Sequence, residues 1–299
     1  FALQFLLVAA SMFMDVKTGV FTLILVLIMT FVILVRCSSQ GFDMSRAKNG
    51  MMCLFAVTGV FYFLEIANPN NVQEAWNIGI THYWLYPFAL SLIVPIAIRD
   101  RKGIEWLLFI WSVFILIATL KGYWQKNHGF SVRDRYFLFV LGGYGTHIIW
   151  SGIRYFSFFS DAANYGVHCA MALTTFLISA FYVRRGWMKI YFILIALGAA
   201  YGLGISGTRA AMAVPLSGML VYAVLSKSWK SIIISFVAVG AIFSFFYFTT
   251  IGSSNQYIRK MRTAFRPTED ASYLVRVENR KRMKTLMDDR PFGYGIGLA

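Results

Sequence analysis

Long apolar runs separated by short basic loops make up most of this sequence, and they restrict what the chain can fold into. A helix that crosses a bilayer needs about 20 mostly apolar residues. Hydrophobic residues are 58% of the 299 residues and charged residues only 14%, which is more apolar surface than a soluble domain buries. The sequence predicts an all-α, polytopic transmembrane helical bundle. We expect one integral membrane domain over residues 1–299, continuing beyond both ends.

The apolar runs predict about nine spans. They are Phe1–Met14, Thr18–Val35, Met51–Ile66, His82–Ile98, Ile104–Leu120, Tyr165–Val183, Ile190–Ile205, Ala210–Leu225 and Ser231–Thr250. A further run, Tyr136–Ile153, either crosses the membrane or lies at its interface. Its glycines favour an interfacial or re-entrant piece, and a crossing there would reverse the orientation of everything that follows.

The basic loops predict the orientation, because Lys and Arg accumulate in short cytoplasmic loops. With nine spans, four basic loops fall on the cytoplasmic face; they contain Arg36, Arg46 and Lys48, then Arg99, Arg101 and Lys102, then Arg184, Arg185 and Lys189, and last Lys227 and Lys230. Residues 121–163 then form an outer loop. Ser206–Arg209 lies on the same outer side, as does a second, basic loop over residues 251–299.

The net charge of +15 predicts anionic partners. Lipid headgroups and phosphates fit that charge, whereas nucleic acid does not, since most of the chain lies in lipid. The three cysteines form no CxxC pair, and the four histidines show no metal-ligand spacing. We therefore expect free thiols, no metal and no cofactor. These residues are Cys37, Cys53 and Cys169, and His82, His128, His147 and His168.

The segment from Ser272 to Gly297 reads as a basic helix followed by a glycine-rich stretch. Arg276, Arg280 and Lys284 lie along one stripe of that helix, and Arg276 and Arg280 have no acid three or four places away. An anion between these two guanidinium groups would relieve their repulsion, since Arg donates paired hydrogen bonds to phosphate oxygens. The alternative is a basic face that lies on anionic lipid headgroups.

Two further arginines are candidates for binding an anion. Ser206-Gly207-Thr208-Arg209 joins two spans, and its small residues allow a tight turn. Arg209 either binds an anion there or extends its side chain to lipid headgroups. Arg154 ends the long outer loop and adds a further candidate phosphate contact, while Asp161 and Asn164 fit helix-capping residues.

These segments together resemble one known family. The SGTR turn, the form SxxxR…DxRPFGxGIG within Ser272–Gly297, and RYFSFFSDAANYG at Arg154–Gly166 are similar to the O-antigen ligase/polymerase superfamily. The resemblance covers roughly Arg154 to Ala299. It implies a membrane glycosyltransferase fold of the GT-C type in the bacterial inner membrane, with the active site facing the periplasm.

The resemblance also implies the activity and its residues. Members move a glycan from an undecaprenyl-diphosphate carrier to lipid A–core, a growing glycan or a protein. Arg209 and Arg276 would be the catalytic, diphosphate-binding arginines, with Arg280 and Arg154 adding contacts, and the family's outer-loop histidine is expected beyond Ala299. Preorganised cations stabilise the charge that develops on the departing diphosphate. Ligase and polymerase chemistry both stay open.

A second hypothesis is a non-enzymatic polysaccharide or lipid transporter, or a lipid-binding membrane protein. A coupled transporter needs charged or polar groups midway along several spans. Glu65 is almost the only acid within a predicted span, and it lies near the end of that span. The composition of the spans therefore favours the enzyme over the transporter.

Overall fold

The computed structural model describes residues 19–39, 45, 48–66, 68, 80, 84–98, 100–149, 152–266, 268 and 271–288. Their α-helices are α1 Gly19–Ser39, α2 Gly50–Ile66, α3 Tyr86–Ala97, α4 Arg101–His128, α5 Val132–Phe139, α6 Tyr144–His147, α7 Ala162–Tyr182, α8 Gly186–Ser206, α9 Ala213–Ser226, α10 Trp229–Phe248, α11 Gln256–Arg262 and α12 Ala271–Asp288. Short 3-10 turns cover Arg209–Met212 and Thr263–Phe265, and two strands, β1 Ile148–Ile149 and β2 Gly152–Ile153, form a small antiparallel hairpin.

The helices confirm an all-α membrane protein but not the predicted count of nine spans. In the described part of the chain, five helices are long and apolar enough to cross a bilayer: α4, α7, α8, Arg209–Ser226 and α10. The apolar stretches within α1, α2 and α3 are shorter. The predicted span Phe1–Met14 lies outside the described residues, as does everything after Asp288.

The helix α4 is longer than the predicted span Ile104–Leu120, because its last turns pack against the loop before α7. The buried Gln125 amide donates to the carbonyl of Ser157 at 3.2 Å and accepts from the Ser157 N–H at 2.9 Å. The Ser157 hydroxyl also donates to the carbonyl of Ala118. These buried bonds satisfy a loop that would otherwise lose its hydrogen bonds to water.

The segment Tyr136–Ile153 contains no continuous helix. The helix α5 ends at Phe139, Gly142 takes a left-handed φ of 79°, and α6 and the hairpin follow. The break at the glycine turn stops the segment from forming one spanning helix, as the interfacial interpretation requires.

The chain divides into two compact units, Phe1–Glu105 with Val277–Ala299, and Trp106–Arg276. In the first unit α3 packs on both α1 and α2. Pro95 lies inside α3 and cannot donate to the carbonyl of Ser91. The Asn49 amide, just before α2, donates to that carbonyl at 3.2 Å and so links the two helices.

In the second unit, α4, α7 and α8 enclose the main hydrophobic core. Small residues such as Ala172, Ala196 and Ala199 let the helices approach closely around Phe176 and Phe192. Most of α10, by contrast, has exposed apolar side chains. Such a surface suits lipid rather than water.

Contacts along these helices define two ends of the second unit. Trp111 packs on Phe176 and the Lys126 ammonium lies 5.2 Å from the Tyr201 ring, so α4 runs antiparallel to α7 and parallel to α8. The connections Val183–Arg185 and Lys227–Ser228 lie at one end. The end of α4, the start of α7 and the turn after α8 lie at the other, as the charge pattern predicted for this part of the chain.

Candidate functional site

The turn Ser206–Arg209 forms the centre of the candidate site. Gly207 ends α8 with a left-handed φ of 62°, a conformation that L side chains rarely adopt. The Thr208 N–H donates to the Ser206 hydroxyl at 3.2 Å, and the Thr208 hydroxyl donates to the carbonyl of Ala162 at 2.9 Å. The turn is therefore tied to the first residue of α7.

Arg154 lies against this turn. Its guanidinium donates to the Thr208 hydroxyl at 3.2 Å and to the carbonyls of Thr146 and Ser206 at 3.3 and 3.4 Å. The Arg154 N–H donates to the carbonyl of His147, continuing the hairpin β1–β2. The hairpin and the turn together fix the position of this cation.

Arg209 follows the turn directly and is half-buried. Its guanidinium donates to the Thr263 hydroxyl at 2.9 Å, and that hydroxyl donates to the carbonyl of Lys260. Arg209 is thus joined to α11 and the short turn that follows it.

Lys260, on α11, supplies a third positive charge at the turn, which the sequence reasoning did not find. A Cβ built on Gly207 would lie 3.2 Å from Lys260 Nζ and 3.5 Å from Arg154 Cγ. The two side chains therefore both lie close to one point beside the turn. We call Arg154, Arg209 and Lys260 the cationic cluster.

The charges of Arg154 and Arg209 are close enough to act on each other. Burial lowers the pKa of Arg154 most, the charge of Asp161 opposes this shift, and the neighbouring Arg209 lowers the pKa further. An arginine stays protonated in spite of such a shift. Arg154, Arg209 and Lys260 bring three positive charges close to the turn, an arrangement that suits a multiply charged anion.

Asp161 and His147 hold the start of α7 beside the cluster. The Asp161 carboxylate accepts from the N–H of Asn164 at 2.7 Å, which confirms Asp161 as the predicted cap. The buried His147 ring accepts from the N–H of Ala162 through Nε2, so Nδ1 carries the proton and donates to the carbonyl of Gly143. Burial is the main cause that lowers the pKa of His147. A neutral, fully engaged imidazole of this kind holds structure in place and does not act as a base.

The other two predicted arginines lie on α12. The side chains of Arg276 and Arg280 are exposed. Among the described residues neither has a hydrogen bond or an ion pair, whereas Arg282 pairs with Glu278 at 3.7 Å. That Arg276 and Arg280 share an anion with Arg209 stays a prediction.

An apolar cavity of about 290 Å³ lies beside the cationic cluster. Its wall includes Met212, in the turn that Arg209 begins, and Tyr257 and Met261, from the helix that carries Lys260. The remaining lining comes from α7, α8, α9 and α10, with Ile258 of α11. A hydrocarbon chain fits such a lining, since it contains almost no polar surface.

The cluster and the cavity together suit an amphipathic ligand with an anionic head. In the described residues no group of three or more His, Cys, Asp or Glu side chains could hold a metal ion. Comparisons with protein-family models, curated proteins and solved structures gave no match to the chain. The fold and the site define the class of protein: a multi-pass helical membrane protein with a cationic cluster at one end of its second unit.

Proposed function

We propose that this protein is a glycosyltransferase of the O-antigen ligase/polymerase type. It would transfer a glycan from an undecaprenyl-diphosphate carrier to lipid A–core, to another glycan or to a protein. The reaction would take place at the periplasmic face of the bacterial inner membrane. Surrounding lipids are further partners, and nucleic acid is not.

The observation that carries the proposal is the meeting of Arg154 and Arg209 at the turn Ser206–Arg209. The two residues are 55 positions apart in the numbering, yet each interacts with the turn or its neighbours, and the charge of one lowers the pKa of the other. Holding like charges together costs free energy. A diphosphate between them would reverse the sign of that cost.

The chemistry that such a cluster supports is the departure of a charged leaving group. The acceptor hydroxyl forms a bond to the anomeric carbon of the donor sugar, and its proton passes to water at the membrane face. The bond from that carbon to the diphosphate oxygen breaks, and its electron pair stays on the lipid diphosphate. Guanidinium groups that are already in position stabilise this developing charge without reorganisation.

Replacing Arg209 tests the proposal directly. In membranes supplied with donor and acceptor, Arg209→Ala is expected to reduce glycan transfer about 100-fold, the typical cost of losing one stabilising donor. Arg209→Lys should recover only part of the rate, since an ammonium lacks the bidentate fork. Arg184→Ala, an exposed cation at the opposite end, is the matched control and should leave the rate unchanged. Full activity of Arg209→Ala would remove the proposal.

The apolar cavity supports a second candidate, a lipid-binding protein that catalyses no reaction. Its lining from four membrane helices and α11 suits a lipid chain as well in a carrier as in an enzyme. The two functions differ in their product. Binding or flux of the lipid with no covalent glycan product, in the presence of each acceptor class, would favour the second candidate.

A further inference from the structure

We propose that Lys260 is the third cation of the anion site and contacts the second phosphate group of a diphosphate ligand. The proposal rests on the transferase function above for the nature of that ligand, a diphosphate carried by a lipid. It adds a residue that neither the charge pattern nor the family resemblance indicated.

The Lys260 ammonium lies close to the turn at Gly207. A Cβ at Gly207 would meet Lys260 Nζ at 3.2 Å, which is closer than most side-chain contacts. The left-handed glycine therefore leaves room for the ammonium directly over the turn. The aliphatic part of Arg154 lies 3.5 Å from the same point.

The helix α11 is anchored at both ends, so Lys260 is held where it is. At its start, the Asn255 side chain accepts from the N–H of Tyr257 at 2.9 Å, and Lys126 lies 4.8 Å from the Tyr257 ring. At its end, the buried Arg262 donates to the carbonyls of Phe246 and Ile251 at 3.1 and 3.0 Å.

Lys260 and Arg209 are linked through one hydroxyl. Thr263 donates to the carbonyl of Lys260 and accepts from Arg209. The backbone of Lys260 and the guanidinium of Arg209 are thus held in a fixed position relative to each other. A single phosphate group matches the fork of one Arg, and a diphosphate offers oxygens to a further, separate cation.

The chain offers a matched control on the same helix. Arg259 is adjacent to Lys260, carries the same charge and is exposed, whereas Lys260 is half-buried. Lys260→Met and Arg259→Met each remove one positive charge from α11. A specific contact requires the two variants to differ, while a general effect of net charge requires them to behave alike.

The experiment is calorimetric titration of the protein in lipid nanodiscs with inorganic pyrophosphate, followed by competition with undecaprenyl diphosphate in the nanodisc. Lys260→Met should bind pyrophosphate about 10-fold more weakly, a change of about 1.4 kcal/mol. Lys260→Arg should stay within about threefold, and Arg259→Met should match the parent protein. The lipid should compete in the parent protein. Melting temperatures of all variants establish that each is folded.

Three results would overturn the inference: parent protein that binds no pyrophosphate, Lys260→Met that binds as tightly as the parent, or Arg259→Met that weakens binding equally. Absence of competition by the lipid would assign the site to free pyrophosphate and overturn the lipid diphosphate as ligand.

Glycan transfer measured on the same samples separates the two proposals. Binding that depends on Lys260 with no glycan product would retain the site and refute the transferase. Glycan product together with unchanged pyrophosphate binding by Lys260→Met would retain the transferase and refute the role of Lys260.

Discussion

Single residues at the turn after α8 determine where the three charges of the cationic cluster come together. Gly207 takes a left-handed φ, Thr208 donates to α7 and accepts from Arg154, and Arg209 reaches Thr263. Each of these contacts joins elements that are distant in the sequence. The turn therefore assembles a charged site from groups that carry no common local signal.

Asp134 gives a pH-dependent prediction at this scale. It forms a capping box with Ser131 at the start of α5 and accepts from the Lys121 ammonium at 3.0 Å. Burial alone would raise the pKa of Asp134, but the bonds from Lys121 and Ser131 outweigh it and lower the pKa. A depressed folded-state pKa gives stability that is present above the unfolded-state pKa and lost as the pH falls through the folded-state value.

Asp134→Asn should therefore lower the melting temperature at pH 7 and have a much smaller effect in strong acid. The measurement is thermal unfolding of both proteins in detergent, at pH 7 and again at a pH well below the ordinary aspartate pKa of about 3.9, because the folded-state pKa of Asp134 is lower still. Equal differences between the two proteins at both pH values would contradict the role assigned to the ionised carboxylate.

At the scale of elements, apolar runs predicted where the helices lie, since burial in lipid depends mainly on side-chain hydrophobicity. Their ends were less predictable. The helix α4 passes Leu120 because Gln125 binds Ser157 across the loop, a contact that no local pattern encodes. The direction of α11, and with it the position of Lys260, depends likewise on Arg262 and its bonds to the end of α10.

Close packing of α7 and α8 depends on Gly202. A Cβ there would lie 2.6 Å from the Tyr165 hydroxyl and 2.7 Å from Cys169 Sγ, whereas a Cβ at Gly204 would meet nothing within 4 Å. Gly202→Ala should therefore destabilise the protein by about 1–3 kcal/mol, the usual cost of overpacking. Gly204→Ala, in the same helix, should be neutral or slightly stabilising. Thermal unfolding that ranks the two variants in the opposite order would contradict this packing.

The helix α12 carries the other two predicted ligands, Arg276 and Arg280. If Arg276 binds the same diphosphate as Arg209, Arg276→Ala should reduce glycan transfer by about the same factor as Arg209→Ala. Arg282→Ala is the control, because that guanidinium pairs with Glu278 on the exposed surface of the helix and such pairs contribute little. Equal activities of the two variants would remove Arg276 from the site.

At the scale of the whole molecule, the charge pattern predicts which end of the second unit faces the cytoplasm. Arg184, Arg185 and Lys227 lie at the end opposite the cationic cluster. Single cysteines at Ser228 and Ser160, in a background with Cys37, Cys53 and Cys169 replaced, should react with an impermeant thiol reagent from opposite sides. Ser160→Cys should react in intact cells whose outer membrane has been permeabilised, and Ser228→Cys only in inverted vesicles. Labelling of both from one side would refute the orientation.

The sequence carried enough information to predict a helical membrane protein and to single out Arg154 and Arg209. It could not reveal that Lys260 lies over Gly207, because that proximity arises only when α11 packs against the end of α8. Residues in apolar runs can be recognised from composition alone. Cations that tertiary contacts bring together cannot be recognised in this way.

The most direct test is an electron cryomicroscopy structure of the protein in nanodiscs with undecaprenyl diphosphate. The account predicts phosphate oxygens within hydrogen-bonding distance, about 2.7–3.2 Å, of the guanidinium groups of Arg154 and Arg209, with Lys260 on the second phosphate group. A diphosphate bound at the opposite end of the second unit, where Arg184 and Lys227 lie, or anywhere else than at the turn Ser206–Arg209, would contradict this prediction.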